Sequence, residues 1–406
     1  MKDRCISCGI AYPEGFHPTC DSCGGLVDVE YDLARVSLDE SENPYLRFAG
    51  LLPIDVANSP VPDARYTPTV HATRLGKYLG MHKLFLKDET VLPTRSTKDR
   101  MAAVCLPYLH ERGVRAFCAS STGNSSTSFA YALANYPDMH LFLFTAEGFV
   151  NRVQHATSPQ VTHFGLRDAT FVEASDAAAS YARAHGIAAE SGFFNPGRRD
   201  GLKLAFFEAC QQIGQKIDWY VQAVSSAMGV YATWKGAREL LGLGEIRHLP
   251  RLLCVQQESC APMVHAFGDG SMNIRPEHLV TRPAGIAEAI LRGDPTRAYP
   301  HVRRIVLESN GGLIAVSEAE IRAARLLVEE YEGMSPCFAA AAAVAAIVRL
   351  AREDGISPED CVLINITGGV RPDTGPSEGI EWLPRGASGW SAPAPHELAV
   401  NEPVFA

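Results

Sequence analysis

Short apolar runs alternate along the chain with longer stretches that carry helix spacing. Lys83-Leu-Phe-Leu-Lys87, Ala116-Phe-Cys-Ala119, His140-Leu-Phe-Leu-Phe144, Asp218-Trp-Tyr-Val-Gln-Ala-Val224, Arg251-Leu-Leu-Cys-Val255 and Cys361-Val-Leu-Ile-Asn-Ile366 read as strands. Their near-continuous apolarity is that of strands covered on both faces. Helical patterns run over Lys98 to Arg112, Ser126 to Tyr136 and Tyr231 to Leu241, the last stopped by Gly242. Pro107 predicts a kink in the first. From Cys337 to Val348 twelve apolar residues follow one another, five of them a run of alanine. A membrane span needs about 20, so the spacing predicts a buried helix. Strands alternating with helices imply βαβ units and a mainly parallel α/β fold. Residues 37–64, with Pro44, Pro53, Pro60 and Pro62, read as loop. The stretch after Pro384, rich in Pro, Gly, Ser and Ala, is expected to lie over the surface.

Length adds that 406 residues exceed one small module and imply two or three units. Lys plus Arg is 37 against 46 for Asp plus Glu, a net charge of -9, which argues against nucleic acid as a partner. A small anionic substrate stays open, because a few local cations can hold one. The N-terminus, Met-Lys-Asp-Arg-Cys, lacks the apolar core of a signal peptide, so the expected compartment is the cytoplasm with no membrane association.

Of 11 cysteines, Cys105, Cys118, Cys210, Cys254, Cys260, Cys337 and Cys361 stand singly, mostly among apolar residues, and read as small hydrophobes. The other four do not. Cys5-Ile-Ser-Cys8 and Cys20-Asp-Ser-Cys23 form two C-x2-C knuckles with eleven residues between them, each followed by a glycine, Gly9 and Gly24. Four thiolates at that spacing suit a tetrahedral structural Zn2+, and a segment this short needs such a staple. Chance spacing, or a ribbon that has lost its metal, is the alternative. His17 lies between the knuckles and could replace a cysteine, though a surface position suits it better.

In parallel sheets ligands bind beyond the carboxyl ends of the strands, and three turns there are unusual. The first is Lys87-Asp-Glu-Thr-Val-Leu-Pro-Thr-Arg-Ser-Thr-Lys98-Asp99-Arg100. Lys98 opens a helix, where a cation opposes the dipole. Consumption of the amine in an imine would remove that conflict; a solvated lysine beside Asp99 is the alternative. The second, Ser120-Ser-Thr-Gly-Asn-Ser-Ser-Thr127, holds more N–H groups and hydroxyls than an N-cap uses and suits a carboxylate or phosphate. The third, Val224-Ser-Ser-Ala-Met-Gly-Val230, stands at a phosphate-cradle position with less glycine than usual. Alone it reads equally as a plain strand-to-helix turn.

In this order the segments resemble the tryptophan-synthase-β-like, fold type II family of pyridoxal phosphate (PLP) enzymes, and within it the threonine synthase and cysteate synthase group, over residues 1–375. The Lys-Asp-Glu-x3-Pro-Thr-x-Ser-x-Lys-Asp-Arg string from Lys87 to Arg100 carries the likeness most specifically. By this resemblance Lys98 is the Schiff-base lysine. Ser121, Thr122 and Gly123 are similar to the loop that holds the substrate carboxylate, with Asn124 at the cofactor's 3'-oxygen. Ser225, Ser226, Ala227, Met228 and Gly229 match the cofactor-phosphate cup, and Thr367 of Ile366-Thr367-Gly-Gly matches the threonine whose hydroxyl meets the pyridine nitrogen. In Asn195-Pro-Gly-Arg198-Arg199-Asp-Gly-Leu-Lys203, Arg198 falls on an arginine that contacts the substrate phosphate; a surface basic cluster beside Asp200 is the alternative. Lys87 is expected to reach the leaving phosphate. A cysteine-rich N-terminal ribbon also appears in both subfamilies.

The implied fold is α/β, two three-layer α/β/α domains with mainly parallel sheets plus a small zinc-ribbon-like segment. The implied layout is 1–33 for the ribbon, 34–100 and 190–385 for the large PLP-binding domain, 101–189 for a smaller inserted domain and 386–406 for a surface tail. A homodimer is expected, since family members commonly dimerise. The implied activity is a synthase or lyase acting on a phosphorylated amino acid, by default conversion of O-phospho-L-homoserine to threonine and phosphate. Three alternatives stay open: β-replacement on O-phospho-L-serine with sulfite or another nucleophile, dehydration of serine or threonine, and a partner-binding scaffold without chemistry. The chain departs from the family pattern at Arg95 (a glycine there), Thr97 (a phenylalanine), the Ser225-Ser-Ala-Met cup and Gly369-Val-Arg-Pro-Asp373. Its Asp218-to-Val224 strand looks closer to the cysteate synthase version.

Overall fold

A computed structural model describes residues 1–372, 375, 378–387 and 389–395. Asp373, and residues 388 and 396–406 of the expected tail, lie outside the described residues.

Six strands form the larger sheet, in the order Gly312–Val316, Arg251–Gln257, Trp219–Ala223, Cys361–Ile366, Lys83–Asp88, Thr69–His71. All pairs are parallel except the last. Successive side chains leave opposite faces of a strand, and both faces here are covered. Leu84, Leu86, Val221, Leu253, Val255, Val362, Ile364 and Ile366 share one core with the alanine-rich helix Phe338–Arg352. Tyr220, Leu252, Cys254, Cys361 and Leu363 join the opposite core with helices Lys98–Glu111, Pro196–Ile213 and Met228–Leu243. The runs without polar alternation thus have the expected cause.

Five parallel strands form the smaller sheet, ordered Glu381–Leu383, Val161–Leu166, His140–Ala146, Ala116–Ser120, Ala188–Ala189. Helix Phe171–His185 covers one face of it through Ala174, Ala178, Tyr181 and Ala182. Two expected boundaries are corrected. The cut at 100/101 falls inside helix Lys98–Glu111. Strand Glu381–Leu383, expected in the large domain, pairs with Phe164–Leu166 of the smaller sheet, because the chain crosses back over it.

Helix Lys98–Glu111 runs through Pro107 without interruption. It crosses helix Pro196–Ile213 closely because Gly197 and Gly201 carry no Cβ. A Cβ on Gly197 would sit 2.9 Å from that of Tyr108, and one on Gly201 would strike the Arg100 carbonyl. The stretch read as loop holds a short helix, Pro44–Arg47, capped by Asn43. No helix among the described residues is long and apolar enough to cross a membrane.

The N-terminal strands Lys2–Cys5, Ala11–Tyr12 and Val27–Glu30 form an antiparallel ribbon. Gly9 and Gly24 take φ of +77° and +67°, the left-handed turns the knuckles need. The sulfurs of Cys5, Cys8, Cys20 and Cys23 all lie within 4.8 Å of one another, with Cys5–Cys23 at 3.5 Å and Cys8–Cys20 at 3.6 Å. A tetrahedron with Zn–S of about 2.3 Å has edges of about 3.8 Å, so the four sulfurs fit zinc. The Tyr12 hydroxyl donates to Cys20 Sγ at 3.1 Å. His17 is outside the cluster and packs on the Tyr12 ring.

Candidate active site

The carboxyl ends of the larger sheet's strands and the Ala116–Ser120 strand open on one chamber. Lys98, Asn124, Thr367 and all of Ser225 to Gly229 line it, as do Ser121, Thr122 and Arg198. Helices Lys98–Glu111, Asn124–Ala132, Pro196–Ile213 and Met228–Leu243 all begin at this chamber, so their positive dipole ends converge on it.

Lys98 is half-buried, and among the described residues nothing pairs with its amine. The Asp99 carboxylate, the partner of the alternative reading, is taken by the Thr94 N–H at 2.7 Å and the Thr94 hydroxyl at 2.6 Å. Burial, with the Arg198 guanidinium second, pulls the Lys98 amine down to about 8. A lysine in that state is a nucleophile close to neutral pH. The loop before it is pinned to the end of strand Cys361–Ile366, where the Thr97 N–H donates to the Thr367 carbonyl at 2.9 Å and Ser96 bridges Gly368. This brings Thr367 beside Lys98 from 269 positions away in sequence. Arg95 sits at φ +58°. Glycine is the unstrained residue there, so an arginine at this position carries a local backbone cost.

At the turn after Trp219–Ala223, Ala227 is held at φ +58°. None of the backbone N–H groups of Ser225 through Gly229 has a hydrogen-bond partner among the described residues. The row of free donors opens a helix of 16 residues, the setting in which a phosphate is bound by backbone alone. Gly229 leaves room for the Gln222 amide, which a Cβ would meet at 2.5 Å. In the Ser/Thr loop, Ser121 Oγ accepts from the N–H groups of Gly123 and Ser126, both at 3.1 Å, which curls the loop. Gly123, at φ +117°, lies where a Cβ would meet the Arg152 carbonyl at 2.9 Å. A phosphate cup of vacant amides, an unpaired amine of lowered pKa and a neutral hydroxyl across from it form a donor set that fits PLP.

Two expected phosphate contacts are placed differently. Lys87 does not reach the chamber. It alternates with Leu84 and Leu86 and so leaves the sheet on the other face, where it is buried. There its amine donates to the Thr67 carbonyl at 2.6 Å and to Glu208 at 2.7 Å. Glu208 and Glu89 also hold Arg100, at 2.5 and 2.6 Å, completing a buried network of two cations and two anions. Arg198 does line the chamber, but its guanidinium is closed on the Glu190 carboxylate in a fork and donates to Ser125 Oγ at 3.1 Å.

Sequence reasoning missed two arginines. Arg292 lines the chamber beside Phe171. Arg371 donates to Asn124 Oδ1 at 2.7 Å and to the Arg152 carbonyl at 3.1 Å. Because a guanidinium only donates, the Asn124 oxygen must face Arg371, and the amide nitrogen is what Asn124 has left to offer. The only available signal was the Gly369-Val-Arg-Pro departure itself. Arg292 sits in no glycine-rich turn and no strand-to-helix junction, so it had none.

A model of pyridoxal-phosphate dependent enzymes matches residues 62–368. The chain is 31% identical over 379 residues to a threonine synthase of Methanosarcina acetivorans, covering 91% of this chain and 92% of that one. It is 28% identical to a cysteate synthase of Methanoregula boonei, covering 90% and 89% respectively. Among solved structures, the processed form of threonine deaminase isoform 2 from Solanum lycopersicum superposes with a TM-score of 0.63 at 18% identity, over 86% of this chain and 94% of that one. Maize serine racemase gives 0.63 at 16%, over 76% and 89%. At that identity these likenesses speak for the fold alone, the fold type II architecture. With the family model matching residues 62–368 and a relative 31% identical along nearly the whole chain, this protein belongs to the pyridoxal-phosphate dependent enzymes.

Proposed function

We propose that the protein is a synthase or lyase acting on a phosphorylated amino acid, by default converting O-phospho-L-homoserine and water to L-threonine and phosphate. The observation that carries the reading is the unpaired Lys98 amine facing the free amides of Ser225 to Gly229. The similarity to threonine synthases along nearly the whole chain supports the substrate. Lys98 would hold the cofactor, and its amine is the group placed to move the proton at the substrate Cα. PLP, when bound, supplies the electron sink for that carbon. The curled loop at Ser121 to Asn124 orients the substrate carboxylate. The Thr367 hydroxyl, a neutral partner, leaves the pyridine nitrogen largely unprotonated, which suits elimination and addition over transamination.

Cysteate synthases are also similar along nearly the whole chain, at 24% to 28% identity, and this favours β-replacement on O-phospho-L-serine as the second reading. The test is phosphate release by the cofactor-loaded protein from each donor, with and without sulfite, followed by product mass. Threonine from O-phospho-L-homoserine supports the first reading, sulfite-dependent cysteate supports the second, and no phosphate from either donor sinks both.

A further inference from the structure

A phosphorylated donor brings a dianion into the chamber, and the cations expected to meet it are already occupied. Lys87 is buried elsewhere, Arg198 is neutralised by Glu190, and the Lys98 amine is reserved for the cofactor. Among the described residues one other cation lines the chamber, Arg292. Its Nε donates to the Asp294 carbonyl at 3.0 Å, which fixes the plane of the guanidinium. Its two terminal nitrogens have no hydrogen-bond partner among the described residues, and no carboxylate there lies within ion-pair distance. The carboxylates of Asp294 and Asp176 act on it only at a distance, with Arg297 opposing them. By contrast, the buried Arg100, Arg198 and Arg199 each hold a carboxylate. The Phe171 ring, 5.4 Å from the guanidinium carbon, shields one side and lowers the local dielectric. A planar fork with its outer edge free, its inner edge fixed and its surroundings partly apolar is the geometry that takes a phosphate bidentately.

We propose that Arg292 is the binding residue for the substrate's distal phosphate, an assignment that rests on the phosphorylated-donor reading. In the same reading the α-carboxylate goes to the Ser121 to Asn124 loop, so the two anions of the donor have separate partners in the chamber. The site discriminates donors that carry a terminal dianion from those that end in a hydroxyl.

The test compares the cofactor-loaded wild type with Arg292→Gln and Arg292→Lys. The readouts are steady-state kinetics on O-phospho-L-homoserine and O-phospho-L-serine, turnover of L-serine, and calorimetric titration with inorganic phosphate. The expected result is a rise in KM for the phosphorylated donor and in Kd for inorganic phosphate, each on the order of ten- to a hundredfold in Arg292→Gln. L-Serine turnover falls by a much smaller factor than turnover of the phosphorylated donor, the cofactor absorbance is retained, and Arg292→Lys loses less. Unchanged phosphate binding overturns the proposal, as does an equal loss for phosphorylated and unphosphorylated substrates. If Arg292→Gln fails to hold cofactor, Arg292→Lys decides: wild-type phosphate affinity without the fork overturns the bidentate assignment. A wild type that releases no phosphate from either donor defeats the functional reading instead, and the calorimetric arm still judges Arg292.

Discussion

Arg198 and Arg199 are consecutive, and one serves the chamber while the other serves the N-terminal ribbon. Arg198 lies in the chamber wall, closed on Glu190. The Arg199 guanidinium is fully buried and reaches back to the ribbon, donating to the Val27 carbonyl at 2.5 Å and to Asp28 at 3.2 Å, with the Phe193 carbonyl at 2.7 Å. A helix turns about 100° per residue, so one helix start holds both. The next residue, Asp200, accepts from the Tyr31 hydroxyl at 2.6 Å, a second tie to the segment after the ribbon. The ribbon that carries the four-cysteine cluster is therefore tied to the helix that positions part of the chamber.

Removing the metal is then expected to do more than unfold a small appendage. The ribbon core, Cys5, Cys20 and Val27 with Tyr12 against it, is too small to hold its shape alone. Stripping with a chelator, or Cys20→Ser, should release about one zinc per chain and lower Tm by several degrees or more. It should also lower activity, with recovery when zinc is returned to the wild type. Equal Tm for metal-free and zinc-loaded protein would rule out a structural metal.

The state of Lys98 predicts a pH dependence with a definite sign. Its amine titrates near 8 in the folded, cofactor-free protein, against about 10.4 in an unfolded chain. Between those values the unfolded chain binds more protons. This group therefore makes the cofactor-free protein more stable as pH rises through that window, and contributes no slope below it. The neutral amine also attacks the cofactor aldehyde, so the rate of reconstitution with PLP should rise with pH to a half-maximum near 8. Arg198→Gln should shift that midpoint upward, because it removes a like charge and exposes Lys98 to the Glu190 carboxylate. A midpoint near the ordinary lysine value in the wild type would contradict the burial.

Much of this was legible in the sequence, for identifiable reasons. Strands covered on both faces lose their polar alternation, so Cys361–Ile366 and Trp219–Ala223 stood out as runs. Knuckle spacing and the Lys87-to-Arg100 string are local, so the cysteine cluster and Lys98 could be found without a fold. What was hidden depends on side-chain direction or on contacts distant in sequence. Lys87 belongs to the motif string but points under the helices opposite Leu84 and Leu86, where Glu208 takes its amine, and only the packed fold decides that. The partner of Arg198 is a glutamate beyond a short edge strand, and Glu381–Leu383 reaches a sheet whose other strands ended more than 190 residues earlier.

The placement of Lys87 is itself testable. Lys87→Met removes a cation from a buried pair with Glu208 and should cost about 3 kcal/mol of stability, read by chemical denaturation. Because its amine is held by the Thr67 carbonyl and Glu208 and does not line the chamber, KM for the phosphorylated donor should stay within about twofold. A KM rise of tenfold with little loss of stability would put Lys87 back at the substrate.

The Arg371–Asn124 contact makes the last prediction. Burial, with Arg152 second, holds the Arg371 guanidinium down to about 10, still fully charged at neutral pH. One of its terminal nitrogens is buried without a partner among the described residues, while the other donates to both Asn124 Oδ1 and the Arg152 carbonyl, which fixes it toward Asn124. With Arg371 in place the Asn124 amide can present only N–H to the chamber, which suits the ionised ring oxygen of PLP. Arg371→Gln allows the amide to turn, since glutamine both donates and accepts. The expected result is a cofactor Kd raised by about threefold to tenfold, the equivalent of one hydrogen bond. The pH titration of the bound cofactor's absorbance should also move upward, because the ionised oxygen loses a donor. Arg371→Lys, which can only donate, should restore most of both. If Arg371→Gln and the wild type share the same titration and the same Kd, Asn124 is held by its backbone alone.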